Sequence, residues 1–165
     1  MARGWGHGTA LIVWLGISAV VYYAVDSYQK PVVATLRDVD GATGEIVIPR
    51  SRDGHYYVEG TINNHPIIFM IDTGASVVSV GERAARAADL PKGAVARFRT
   101  AGGEVMGEML TGIAVEAAGI RVEELRVAIG PDLGPGNVAL LGQNFLRRIE
   151  VTQRDDRMVL RVKGS

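Results

Sequence analysis

Ile67-Ile68-Phe69-Met70-Ile71-Asp72-Thr73-Gly74-Ala75-Ser76 is an apolar run, Ile67 to Ile71, that leads straight into an acid, Asp72. The run has the length and composition of a buried strand, and Asp72-Thr73-Gly74 has those of the turn that ends it. A carboxylate at the mouth of such a strand is costly to desolvate, so it must be hydrogen-bonded, paired or held partly protonated. About seventy residues later Ala139-Leu140-Leu141-Gly142-Gln143-Asn144-Phe145-Leu146 forms a second apolar strand, which breaks at a glycine and turns into a short helix.

Outward from these two segments the chain alternates short apolar runs with turn signals, the mark of an all-β domain with one or two short helices. Residues Glu45 to Ile48 and Tyr56 to Ile62 read as strands, and Asn63-Asn64-His65-Pro66 as the turn into Ile67. Val77 to Val80 is followed by an Ala-rich helix over Gly81 to Ala88, with Ser79 and Glu82 at capping-box spacing and Pro91 beyond it. Val95 to Thr100 and Val105 to Val115 flank a hairpin tip at Gly102-Gly103. Ile120 to Ile129 is a strand interrupted at Glu123-Glu124, as by a bulge, and Gly130 to Asn137 is a loop. Ile149 to Arg154 and Arg157 to Val162 pair around Asp155-Asp156.

Ahead of this domain, Thr9 to Val25 carries no charge and is almost wholly apolar, at the short limit of a bilayer span, which takes about 20 residues. Arg3 and the amino terminus precede it and Asp26 follows, which favours residues 1–8 in the cytoplasm and the bulk of the chain exported. A cleaved signal peptide is the competing reading, but bulky Tyr22 and Tyr23 precede Ala24, the one good small residue for cleavage. The expected organisation is therefore a transmembrane anchor over 9–25, a polar tether over 26–44 and a folded domain over 45–165. The location implied is a single pass of the inner (cell) membrane, with a cytoplasmic amino terminus and a periplasmic or otherwise extracytoplasmic domain.

Composition removes most chemistries. The 165 residues carry 18 basic and 18 acidic side chains, so no global field recruits nucleic acid, and Arg147-Arg148 or Arg83 with Arg86 read as solvated faces. The absence of cysteine removes disulfides, thiol nucleophiles and thiolate zinc sites, and His7, His55 and His65 lack the spacing of a catalytic metal centre. No serine-nucleophile elbow, phosphate loop or dinucleotide fingerprint is present. No metal and no cofactor is expected, and carboxylate chemistry remains. Hydrolysing a peptide without a covalent intermediate needs a base to activate water and an acid to polarise the carbonyl, and two carboxyls sharing a proton supply both.

The two motifs together resemble the active-site core of the retroviral-type aspartic proteases. Over roughly residues 56 to 162 the chain is similar to the single-lobe, retropepsin-like, membrane-anchored proteases of bacteria, which share Asp-Thr-Gly-Ala-Ser/Thr and a later Leu-Leu-Gly-x-x-Phe-Leu. The resemblance implies that Asp72 is catalytic, that Thr73 braces two such loops across a twofold axis, and that Gly74, Ala75 and Ser76 complete the loop. It implies that Leu141, Gly142 and Gln143 support it and that Gly102 and Gly103 tip a flap over a polypeptide substrate. No second Asp-Thr-Gly occurs, and the domain is too short for two lobes, so the second carboxyl must come from a homodimer. Retroviral enzymes have an aspartate where Ser76 stands and an arginine where Gln143 stands. Replacement of both partners by neutral groups implies that Ser76 and Gln143 approach each other. A membrane-tethered binding or scaffolding domain of the same fold, without turnover, is the reading from another class.

Overall fold

The computed structural model describes residues 7–35, 45–100, 102–133 and 137–162. The chain divides into two units, the second beginning at Val32. The first is a single helix, α1 (His7–Gln29), longer than the expected apolar segment. Its stretch Leu11–Gln29 is long and apolar enough to cross a membrane, a property that N-terminal signal sequences share. A Lys30–Asp26 ion pair at 3.1 Å sits at its carboxyl end, where a cation complements the helix dipole.

The stretch expected as a tether, 26–44, is in part regular structure. Residues 26–29 finish the helix, and β1 (Val33–Ala34) joins the folded domain, while residues 36–44 lie outside the described residues. After β2 (Ile46–Pro49) come β3 (Tyr57–Ile62) and β4 (His65–Ile71), joined by Asn63 and Asn64 at φ 48° and 67°. That two-residue turn has the twist a hairpin prefers, so His65 and Pro66, expected in the turn, open β4 instead. β5 (Val78–Gly81) leads into α2 (Glu82–Ala87). The expected capping box is not formed: Ser79 Oγ donates to the Val77 carbonyl, and Asp132 Oδ1 accepts from the Arg83 N–H at 3.0 Å. A distant loop thus caps this short helix, a pairing that local spacing does not reveal.

β6 (Ala94–Thr100), β7 (Gly103–Ala117) and β8 (Ile120–Gly130) form an antiparallel meander. Its register slips once on each side of Ile113, and the expected bulge lies at Glu123-Glu124, with Glu124 at φ 58°. β9 (Val138–Leu141) and α3 (Gln143–Leu146) follow, then β10 (Ile149–Arg154) and β11 (Arg157–Val162).

Eight strands make one sheet in the order β1-β3-β4-β9-β5-β8-β7-β6, and a further β3–β7 pairing closes it on itself. At that seam Gly60 faces the Glu116 carbonyl so closely that a Cβ would lie 2.1 Å from it. β10, β11 and β2 form a smaller antiparallel sheet. Alternate residues of the strands fill the core, where Phe69, Phe145, Ile48, Ile62, Leu141 and Leu160 are fully buried. Burial of these apolar groups is the main stabilising term. The domain is all-β with short helices, as its alternation of apolar runs and turns predicts.

Candidate active site

β9 enters the sheet between β4 and β5, parallel to the first and antiparallel to the second. It therefore separates the two strands that the Asp72 loop connects, and it holds the loop from both sides. Ile71 lies opposite Leu141, and the Asp72 N–H donates to the Leu141 carbonyl at 3.2 Å. The loop then turns tightly, with the Ala75 N–H donating to the Asp72 carbonyl at 3.3 Å. The Gly74 N–H donates to Asp72 Oδ1 at 2.8 Å, and a Cβ on Gly74 would crowd that same oxygen at 3.2 Å. Glycine is needed here because the backbone itself approaches the carboxylate.

The second motif closes on the loop through backbone and side chain alike. The Gln143 N–H donates to the Ala75 carbonyl at 2.8 Å, and the Asn144 N–H to the Ser76 carbonyl at 3.2 Å. The expected neighbours Ser76 and Gln143 are thus in adjoining segments, but the Gln143 side chain has another partner. Its Nε2 donates to the Thr73 carbonyl at 3.0 Å. A neutral amide can do this because a backbone carbonyl needs only a donor, not a charge. Gly142 faces Val77, and Leu141 is fully buried beneath the loop.

Asn144, which the motif reading passes over, ties the arrangement together. Its Oδ1 accepts from the Val78 N–H at 2.9 Å and its Nδ2 donates to the Arg126 carbonyl at 2.8 Å, joining α3 to β5 and β8. The only hint in the sequence is a polar amide standing next to the buried pair Phe145-Leu146.

Asp72 is half-buried, while Thr73, Gly74 and Ser76 are exposed. Among the described residues no cation lies within ion-pair distance of Asp72, and its carboxylate accepts one hydrogen bond, from Gly74. Such a group can accept a proton, donate one when protonated, or share one with a second carboxyl. The expected flap residues Gly102 and Gly103 lie at the tip of the β6–β7 hairpin, where Thr100 pairs with Gly103 and the Thr100 hydroxyl donates to its carbonyl at 2.8 Å. Gly103 takes φ 112° with open space around it, and no hydrogen bond joins the tip to the Asp72 loop among the described residues.

Residues 58–148, which contain both motifs and the hairpin, match the family described as "gag-polyprotein putative aspartyl protease". An uncharacterized protein of Rickettsia prowazekii (strain Madrid E) is 33% identical over 129 residues, covering 75% of this chain and 54% of that protein. The chain thus spans about half the length of that curated relative. A crystal structure of a retropepsin-like aspartic protease from Rickettsia conorii superposes with TM-score 0.59 at 31% identity, over 72% of this chain and 99% of that one. Family match, fold and the braced Asp-Thr-Gly loop agree, and the chain belongs to the retropepsin-like aspartic proteases.

Proposed function

We propose that the chain is a membrane-anchored aspartic endopeptidase whose dyad is made by the Asp72 carboxyls of two copies. The observation that carries this reading is the braced Asp72 loop, whose half-buried carboxylate accepts a single hydrogen bond among the described residues. A twofold axis beside the loop would set the two acids face to face, because an isologous contact juxtaposes identical residues. At about 3 Å apart they cannot both ionise, so the pair retains one proton. The ionised member takes a proton from water as the water attacks the scissile carbonyl, and the protonated member donates to the carbonyl oxygen. The pair titrates as a unit, so the two roles belong to the dyad and not to fixed oxygens.

In this reading Thr73 braces the partner loop, Gly74, Ala75 and Ser76 shape the turn, and Leu141, Gly142 and Gln143 hold it. Gly102 and Gly103 tip a flap that closes over the peptide. The helix α1 anchors the enzyme with a cytoplasmic amino terminus and an extracytoplasmic domain.

The full chain in detergent micelles is expected to cleave members of a peptide library, and Asp72→Asn to lower turnover by about 10³-fold or more. Activity per chain should rise with protein concentration as copies associate. Equal turnover by wild type and Asp72→Asn would end the catalytic assignment and leave a tethered binding domain of the same fold.

A further inference from the structure

Three residues, Lys30 to Val32, connect the end of α1 to β1. The far end of this link is fixed in the domain. Val33 and Ala34 pair in parallel with Tyr57 and Val58, Ala34 is 1% exposed, and the Val32 N–H donates to Ser51 Oγ at 3.1 Å. Lengthening the link would mean stripping a strand from the sheet and exposing a core residue.

Asp72 belongs to the same end of that sheet. Val33 lies opposite Tyr57, Tyr57 lies opposite Met70, and the Ile71 N–H donates to the Tyr56 carbonyl at 2.9 Å, one residue before Asp72. Four extended residue steps, two strand spacings and two residues of strand therefore limit the Gln29-to-Asp72 separation to about 30 Å. The covalent chain and the sheet register set this limit, whatever the direction of the helix.

We infer that the substrates are polypeptide segments within a few tens of ångströms of the membrane surface, namely the membrane-proximal stalks of proteins carried by the same bilayer. The inference rests on the proteolytic, membrane-anchored reading above. An enzyme on so short a leash meets such segments at a high effective concentration, since both partners are confined to one surface. A cleavage site carried well above the surface lies beyond the reach of Asp72.

Two measurements on the full chain in lipid vesicles test this. The chain has no cysteine, so a Thr73→Cys variant takes a single fluorescent label beside Asp72. Energy transfer from that label to acceptor-labelled lipid is expected to be strong. It should fall severalfold when a 20-residue Gly/Ser segment, adding about 25 Å of average reach, is inserted between Pro31 and Val32. Transfer equally weak with the native link and the extended one would overturn the inference, and this readout needs no turnover. For the second, one cleavable sequence is placed on a membrane-anchored reporter, either next to the bilayer or on a helical spacer of about 40 residues, which raises it about 60 Å. The native enzyme should cut the low site at least tenfold faster, and the extended enzyme should narrow the difference. Equal cutting at both heights by the native enzyme would also overturn it. Failure to cut the same sequence as a free peptide would count against the catalytic reading instead.

Discussion

A methyl group on Gly142 would sit 2.3 Å from the Val77 carbonyl oxygen and 2.5 Å from its carbon, both backbone atoms that cannot swing aside. Adding it would push the strand after the Asp72 loop away from α3 and strain the hydrogen bonds from Gln143 and Asn144 to Ala75 and Ser76. Gly142→Ala is therefore expected to lower unfolding stability by about 1–3 kcal/mol, read from urea denaturation, and to cost activity. An unchanged midpoint would show that the loop yields without strain. The importance of this glycine is legible in the sequence, because an apolar run that stops at glycine marks a strand end. The partner of Gln143 is not, because the motif places the residue near the loop while the path of the loop decides which acceptor its amide reaches. The Thr73 carbonyl is that acceptor, and the Ser76 side chain is not.

Between β2 and β3 a short loop is pinned by Asp53, which accepts from the Tyr57 hydroxyl at 2.6 Å and from the His55 N–H at 3.0 Å. Burial pushes the Asp53 carboxyl up, but the Tyr57 and His55 hydrogen bonds, the charge of the His55 ring and a bond from Ser51 outweigh it and leave it below its usual value. Burial also pushes Tyr57 up, and with the hydrogen bond and charge of Asp53 it reaches about 12. A carboxyl more acidic in the folded state contributes stability above its unfolded value of 3.8, lost as pH falls through the lower folded one. A phenol less acidic when folded contributes below its unfolded value of 10.0, lost as pH rises through about 12. The stability gap between wild type and Tyr57→Phe should thus be widest between those unfolded values and shrink outside them, measured as thermal midpoints across pH. It should be modest, since the Asp53 side chain is 46% exposed. A gap that ignores pH would mean that only packing was lost. Asp53 and Tyr57 are four apart in the chain, yet no pattern announces their bond, because the loop between them has no period.

For the whole molecule, the boundary suggested by composition and the boundary of the folded unit differ by thirteen residues, Glu45 against Val32. A fragment beginning at Val32 is expected to be more stable than one beginning at Glu45, by about 2 kcal/mol in urea unfolding. The shorter fragment loses the buried Ala34, the Val32–Ser51 hydrogen bond and the partner of the β3 edge. Equal stability would show that β1 is a passive passenger. The family resemblance supplied the pairing of the Asp-Thr-Gly turn with the Leu-Leu-Gly segment; the sequence by itself determined the all-β character, most strand positions and the hairpins. These rest on local periodicity and turn chemistry, which each short stretch carries in full. Only the tertiary structure decided that β9 slips between β4 and β5, that Asp132 caps α2, that Asn144 bridges two strands, and that two residues of the supposed tether are a strand. Each of these joins residues distant in the chain, and a two-residue strand is too short to show any period. Such contacts are selected by the closure of the sheet and the filling of the core, which no window of sequence contains.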